Sequence, residues 1–159
     1  MENYDISLYL RYLTKWRTLM SVTESSQGKI IGYIMGKAEG TAKDWHGHVT
    51  AVTAAPEYRR LGLAKTMMHE LERVTTSMYH SNFVDLSVRV LNEITIGMYE
   101  GMGDLACPTV VEYYSASSGS GDGAGGEDAH DMRKPMRRDK HQKSVRENGR
   151  EVRVLPQEV

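Results

Sequence analysis

The hydrophobic positions of the chain change their period several times between Ile6 and Tyr114, and each period predicts a helix or a strand. Apolar residues three or four apart predict helices, and short apolar runs bounded by turn residues predict strands. The predicted elements follow in this order: a helix over 7–17, strands over 19–24, 29–38 and 45–54, a helix over 64–79, a strand over 83–90, a helix over 93–102 and a strand over 109–114. This order predicts an α/β domain around a mixed sheet.

Cap and turn residues indicate where the predicted helices and strands begin and end. Ser7 and Asn92 are the predicted N-caps of the first and third helices, because their side chains can accept from free N–H groups of the first turn. Turn residues at 25–28 predict a hairpin between the first two strands. In the third strand, alternation predicts one face that carries the following residues: His46, His48, Thr50, Val52 and Ala54.

The hydrophobic pattern ends after Tyr114. Residues 115–126 (SASSGSGDGAGG) are small and flexible and cannot bury a core. We therefore predict a domain over residues 1–117 and a disordered, charged C-terminal tail over 118–159. The basic part of this tail has two interpretations: a solvated tail, or an electrostatic contact with a partner subunit or with ribosomal RNA.

Composition fits a soluble globular protein. The chain has 159 residues, of which 40% are hydrophobic, and its mean hydropathy is −0.50. The sequence shows no membrane-spanning run and no signal peptide, so a cytoplasmic location is expected. The single cysteine, Cys107, excludes an internal disulfide framework and a multi-cysteine metal site. A net charge of −1 favours neither nucleic acid nor a membrane as the main partner of the whole molecule.

The junction between the third strand and the second helix has the chemistry of an anion site. Gly62 allows close backbone approach, the first helical turn offers free N–H groups, and Arg59 and Arg60 add positive charge. A plain turn between a strand and a helix is the alternative interpretation. The junction lacks the lysine of the Gly-rich nucleotide loop and the glycines of the dinucleotide fingerprint, so ATP and NAD fit poorly.

Residues 59–64 (RRLGLA) resemble the acetyl-CoA signature [QR]-x-x-G-x-[GA] of the GNAT superfamily of N-acetyltransferases. Longer blocks are similar to the catalytic subunits of NatB-type N-terminal acetyltransferases: residues 32–40, 45–51, 84–86, 88–90, 98–99, 112–117 and 131–134. The resemblance covers residues 2–134. It implies a GNAT-type mixed, mainly antiparallel β-sheet flanked by helices, N-terminally truncated because the family's first strand and helix would precede Glu2.

The resemblance also implies the residues of the site. The coenzyme, acetyl-CoA, would be bound by these residues: Val52, Thr53, Ala54, Arg59, Arg60, Leu61, Gly62, Leu63, Ala64 and Asn92. The substrate peptide would be bound by these: Glu2, Tyr4, His48, Thr50, Tyr113 and Tyr114. Tyr99 would act as the catalytic acid. Without the resemblance, packing would be the ordinary interpretation of Tyr99 and of the tyrosine pair.

The chemistry of acetyl transfer is compatible with these residues. An α-amino group has a pKa of about 7.7–8.0, so a useful fraction is neutral at pH 7, whereas the lysine amine at about 10.4 needs a stronger base. A phenol can protonate the departing thiolate. Backbone N–H groups of residues 52–54 could stabilise the oxyanion. The resemblance therefore implies acetylation of N-terminal Met in chains that start Met-Asp, Met-Glu, Met-Asn or Met-Gln.

Partners and alternatives follow from the same resemblance. It implies a helical-repeat auxiliary subunit, nascent N-termini as substrates, ribosome contact through the auxiliary subunit, and no membrane. His46 and His48 could both face a metal, but no third ligand has a supporting spacing, so no metal is expected. The alternatives are an acetyltransferase acting on lysine or small amines, an inactive subunit that only binds the auxiliary subunit, and an RNA-binding tail.

One segment departs from the family's pattern. At residues 101–108 the family has a helix end followed by a continuing strand, whereas this chain carries Asp104 and Pro108, which are poor strand residues. The sequence therefore predicts that the last strand begins only at Thr109.

Overall fold

The computed structural model describes residues 4–103, 105–110, 128–145 and 149–155. Its helices and strands follow in this order: α1 (Ile6–Lys15), β1 (Met20–Glu24), β2 (Ile30–Glu39), β3 (His46–Ala54), α2 (Leu63–Met78), β4 (Phe83–Arg89), α3 (Glu93–Glu100), β5 (Leu105–Val110), β6 (Ala129–Pro135) and β7 (Arg153–Val154). They form two compact units, Met1–Val84 with Met136–Arg138, and Asp85–Pro135 with Asp139–Val159.

In the first unit, β1, β2 and β3 form an antiparallel sheet in that order. The predicted hairpin between β1 and β2 is confirmed, and Gly28 turns the chain between them at a φ of 78°. Helix α2 buries the stripe Met67, Met68, Leu71 and Val74; the spacing predicts Met67, Leu71 and Val74, but it also places Met78 on this face, and Met78 is 59% exposed. This stripe packs against β2, because a Cβ at Gly36 would meet Leu71 at 2.7 Å.

Helix α1 begins at a different cap from the predicted one. The side chain of Asp5, not Ser7, is the N-cap, and it accepts a hydrogen bond of 2.8 Å from the Ser7 backbone N–H. The Ser7 hydrogen bonds hold the pKa of the Asp5 carboxyl below its usual value. Both residue types cap well, and a carboxylate is favoured by the positive end of the helix dipole.

Strand β3 does not alternate strictly along its whole length. Gly47 and Val49 are buried between half-buried neighbours, as predicted. The register with β2 then shifts, since Met35 pairs with Ala51 but Gly36 pairs with Val49. Thr50 is therefore the extra residue of a β-bulge, which corrects the expectation that one face runs without interruption from His46 to Ala54.

In the second unit, the strands follow the order β4, β6, β5, β7, with β5 antiparallel to β6 and parallel to β7. Asn92 caps α3 by accepting from the Thr95 N–H at 3.2 Å, which confirms its prediction as a cap. Strand β5 starts at Leu105, so the expected start at Thr109 is wrong. The register shift between Ala106 and Thr109 accommodates Pro108 at a bulge, one of the few strand positions that tolerate proline.

The interpretation of everything after residue 117 as a disordered tail does not fit the described residues. Strand β6 has Ala129 and Met132 fully buried and pairs with β5. Its charges do not prevent burial, because Arg133 Nη2 lies 2.7 Å from Asp131 Oδ2, and Asp131 is only 3% exposed. Within the described part of the chain, no helix is long and apolar enough to cross a membrane.

Candidate active site

The strand-to-helix junction of the first unit adopts a backbone that only a few residue types accept. Arg60 and Gly62 both have a positive φ, of 61° and 79°, and Gly62 is the N-cap of α2. No side chain caps this helix, so its first N–H groups stay available to a ligand. A Cβ at Gly62 would meet nothing within 4 Å, so the space above the turn is open.

Two arginines add charge to this open turn. Arg59 and Arg60 are exposed, and Arg59 Nε donates to the Ala54 carbonyl at 3.5 Å, which ties the loop to the end of β3. Leu61 is 68% exposed, while Leu63 and Ala64 are half-buried. Together with the positive end of the α2 dipole, these groups form a cradle for a phosphate or pyrophosphate. We call residues 59–64 the cradle.

The end of β3 leads directly into the cradle. Val52, Thr53 and Ala54 pair with Ile34, Tyr33 and Gly32 of β2, and each of these three β3 residues is half-buried. Extended backbone of this kind can bind a linear ligand through its own N–H and C=O groups.

A group of tyrosines from α1 and the residues before it surrounds Thr50. Tyr4 Oη donates to the Thr50 carbonyl at 3.4 Å, and the hydroxyl groups of Tyr12 and Thr50 are 2.7 Å apart. Tyr9 lies between Tyr4 and Tyr33, with edge-on ring contacts at 6.3 and 6.1 Å. The structure thus brings together two residues that the sequence assigned to the peptide, Tyr4 and Thr50.

Sequence reasoning missed the other three tyrosines. The helical spacing of apolar residues over 7–17 includes Tyr12, whose side chain is 5% exposed, but its hydroxyl lies 2.7 Å from that of the bulge residue Thr50. Tyr9 and Tyr33 share a hydroxyl contact of 3.2 Å. The only signal in the sequence was the high tyrosine content of 4–12, because residues 9 and 33 meet only after α1 folds onto β2.

The two histidines of β3 have different surroundings. His46 stacks on Phe83 at 4.7 Å with rings 9° from parallel, and its Nδ1 lies 2.5 Å from the Asp44 carbonyl oxygen. These contacts give His46 a structural role. His48 is half-buried and pairs with Lys37 across the sheet. Among the described residues, no group of three His, Cys, Asp or Glu side chains is placed to hold a metal ion.

The second unit contains Tyr99 and Asn92. Tyr99 lies on α3 and is 4% exposed, so its phenol is shielded from bulk water. Asn92 uses its side chain to cap the same helix. Three residues that the sequence assigned to the peptide, Glu2, Tyr113 and Tyr114, lie outside the described residues.

Comparison with known proteins identifies the family. Residues 2–104 match the acetyltransferase (GNAT) family. The chain belongs to this family. It is therefore an acyltransferase with the mixed α/β fold of the GNAT proteins, which confirms the fold class and the reaction class predicted from the sequence.

Individual relatives place the chain more narrowly within the GNAT family. It is 49% identical to the catalytic subunit of the N-terminal acetyltransferase B complex of Schizosaccharomyces pombe, over 99% of this chain and 86% of that protein. It is 48% identical to N-alpha-acetyltransferase 20 of Dictyostelium discoideum, over 91% of this chain and 78% of that protein. The predicted resemblance to NatB catalytic subunits is thus confirmed.

A solved structure shows the same similarity in three dimensions. Naa20 of Chaetomium thermophilum, in complex with a bisubstrate analogue, matches 98% of this chain and 86% of its own with a TM-score of 0.88 at 39% identity.

Proposed function

We propose that this chain is the catalytic subunit of an N-terminal acetyltransferase of the NatB type. It transfers an acetyl group from acetyl-CoA to the α-amine of N-terminal Met in chains that begin Met-Asp, Met-Glu, Met-Asn or Met-Gln. The observation that carries the proposal is the 49% identity over 99% of the chain to the S. pombe NatB catalytic subunit. The geometry of the cradle supports it independently, because it suits a pyrophosphate.

The first step is binding of the coenzyme. The N–H groups of the cradle and of the first turn of α2 hold the pyrophosphate of acetyl-CoA, and Arg59 and Arg60 neutralise part of its charge. The backbone of residues 52–54 aligns the pantetheine arm and the acetyl group, and a backbone N–H there stabilises the oxyanion. Asn92 adds a polar contact to the coenzyme. Since these groups are fixed before the coenzyme arrives, positioning supplies much of the rate.

The second step is binding of the peptide. Tyr4, His48 and Thr50 hold the N-terminus of the substrate, with the imidazole of His48 meeting the acidic or amide side chain at position two. The bonds from Tyr4 and Tyr12 to Thr50 fix this bulge residue before the peptide arrives. Glu2, Tyr113 and Tyr114 complete the peptide contacts in this proposal.

The third step is acetyl transfer. The neutral α-amine attacks the thioester carbonyl and forms the N–C bond, and the nitrogen gives up one proton to water. The oxyanion then collapses, which breaks the C–S bond, and Tyr99 donates its phenolic proton to the departing thiolate of CoA. The proton released by the nitrogen restores the phenol through the same water. Tyr99 is 4% exposed, and this burial supports the role, because it keeps bulk water from competing with the thiolate for the phenolic proton.

The chain acts with an auxiliary subunit. Two solved structures described as the NatB acetyltransferase complex match it, one of them over 100% of this chain with a TM-score of 0.83. We propose further that the auxiliary subunit is a helical-repeat protein that contacts the ribosome, and that the enzyme works in the cytoplasm on nascent chains.

The specificity is tested with a peptide panel. The co-expressed complex is given acetyl-CoA and peptides that begin Met-Asp, Met-Glu, Met-Asn, Met-Gln, Met-Leu or Ser-Glu. We expect the first four to be acetylated at least tenfold faster than the last two, measured as initial rates of CoA release. Equal rates of acetylation for the Met-Leu and Met-Asp peptides would contradict the proposed specificity.

Replacing His48 by Leu separates peptide recognition from coenzyme binding. A hydrogen bond to a charged group contributes about 1.5–3 kcal/mol, so kcat/KM for a Met-Asp peptide falls about tenfold or more. The Kd of acetyl-CoA, measured by calorimetry, stays within twofold. The matched control is His69→Leu, because His69 is exposed on α2 and outside the proposed site. If both variants lose the same activity, His48 does not contact the peptide.

A further inference from the structure

Four polar side chains lie together on one face of β2 and β3. Lys37 and Glu39 of β2 pair across the sheet with His48 and His46 of β3, so all four side chains leave the same face. Each of the four residues is half-buried. The proposed acetyl transfer assigns a role to His48 but none to Lys37 or Glu39.

This face of the sheet is turned away from α2 and toward α1. Cβ atoms at Gly36 and Gly47 would meet side chains of α2 at 2.7 and 2.5 Å. Since neighbours along a strand point to opposite faces, Lys37 and His48 lie on the other side. Tyr33, four residues before Lys37 on the same strand, contacts α1 from that side. Lys37 therefore lies on the side of the sheet where the proposed function places the peptide.

A series of contacts holds the ammonium group of Lys37 in place. Lys37 Nζ donates to Glu39 Oε2 at 2.5 Å, and Glu39 Oε1 lies 3.9 Å from His46 Nε2. The ring of His46 is fixed in turn, because it stacks on Phe83. The positive charge is thus positioned near His48, the cross-strand partner of Lys37.

The ammonium group can also reach a ligand. It has three N–H donors, and within the described part of the chain the bond to Glu39 is the one that Lys37 makes. The side chain of Lys37 is 26% exposed. A half-buried ion pair adds little stability, because the desolvation of both charges offsets their attraction. A charge of this kind next to His48 is suited to the recognition of an anionic group.

We infer that Lys37 binds the carboxylate of Asp or Glu at the second position of the substrate and sets the preference for an acidic over an amide second residue. The inference rests on the proposed function, which places that side chain at His48. A charge-assisted hydrogen bond from the ammonium to a carboxylate is roughly twice as strong as a bond between neutral groups. A carboxamide of similar shape still contacts His48 but gains less from Lys37. Glu39 and His46 are positioning residues for the ammonium.

The test compares kcat/KM for two peptides that differ only in the second residue, Met-Asp and Met-Asn, with the co-expressed complex. Lys37→Met keeps the aliphatic stem and removes the charge. We expect kcat/KM for the Met-Asp peptide to fall about tenfold or more, and that for the Met-Asn peptide to fall less than about threefold. Lys37→Arg keeps the charge, so the ratio of the two values should stay within about threefold of the wild-type ratio.

A matched control and a charge-balanced variant separate recognition from stability. Lys29→Met changes the net charge equally at an exposed residue just before β2, and it should leave both kcat/KM values unchanged. Lys37→Met combined with Glu39→Gln leaves no unpaired carboxylate behind, and the loss should again be about fivefold larger for Met-Asp than for Met-Asn.

The inference is overturned if either Lys37→Met variant lowers kcat/KM equally for the two peptides, or if Lys29→Met causes the same selective loss. In those cases, acetylation of both peptides by the wild-type complex still supports the proposed function. If the wild-type complex acetylates neither peptide, the proposed function and the inference are both overturned.

Discussion

Substitution of Tyr99 by Phe is expected to lower kcat for a Met-Asp peptide by about 10²–10⁴-fold, which is the range of general-acid contributions. The phenylalanine ring fills the same buried volume on α3, where Tyr99 is 4% exposed, so the packing of the ring is kept while the phenolic proton is removed. The KM values for acetyl-CoA and for peptide should stay within about twofold. Steady-state kinetics on the co-expressed complex measures all three quantities.

A matched tyrosine separates the lost proton from a general loss of stability. Tyr79 uses its hydroxyl to contact Thr18 at 2.9 Å, away from the cradle and the β3 bulge. Tyr79→Phe should leave kcat unchanged, while its shift in Tm should be similar to or larger than that of Tyr99→Phe. If the Tyr99→Phe enzyme retains full turnover, Tyr99 is not the catalytic acid.

Substitution of Gly62 by Ala is expected to raise the Kd of acetyl-CoA about tenfold. Gly62 has a φ of 79°, and an L-residue in this left-handed region costs about 1–2 kcal/mol. The turn then spends most of its time in another conformation. Since the apparent affinity falls with the populated fraction of the binding-competent state, a strain of this size corresponds to about a 5–30-fold loss. Calorimetric titration with acetyl-CoA measures it.

Gly28 provides a control with the same backbone. It has a φ of 78° in the turn between β1 and β2, and a Cβ there also meets nothing within 4 Å. Gly28→Ala should therefore lower the free energy of unfolding by a similar amount without changing the Kd of acetyl-CoA. If the two alanine variants bind acetyl-CoA equally well, residues 59–64 do not hold the coenzyme.

The features that the sequence predicts well are local ones. The hairpin at 25–28 depends on its turn residues, and the Asn92 cap depends on one side chain and the N–H groups next to it. The backbone turn at Gly62 is of the same kind, because Arg59, Arg60 and Gly62 lie within four residues of one another, whereas binding of the coenzyme there stays a prediction. Periodicity and short motifs report such features directly.

The features that could not be predicted from the sequence depend on contacts between distant segments. The bulge at Thr50 depends on the register between β2 and β3, and its contacts with Tyr4 and Tyr12 form only when α1 lies on the sheet. In the sequence alone, the residues of β6 look like part of a charged tail. In the fold, Asp131 pairs with Arg133 and Met132 is buried. Pro108 predicts that no strand passes through this position, but a register shift between β5 and β6 accommodates it.

The substrate class depended on resemblance, and its finer details remain proposals. Comparison confirms the GNAT family and the similarity to NatB catalytic subunits. In the proposal, the second-residue preference depends on His48 and Thr50, whose chemistry allows an acidic or amide partner but does not by itself select one. Kinetics on the peptide panel and on His48→Leu therefore test a part of the account that sequence comparison leaves open.

The central claim is that this chain acetylates the α-amine of a peptide rather than a lysine side chain. The most direct measurement is fragment-ion mass spectrometry of one peptide that begins Met-Asp and contains one internal lysine, after incubation with the complex and acetyl-CoA. The account predicts a single added acetyl group, located on the N-terminal nitrogen. An acetyl group on the lysine, or none above the enzyme-free background, would contradict it.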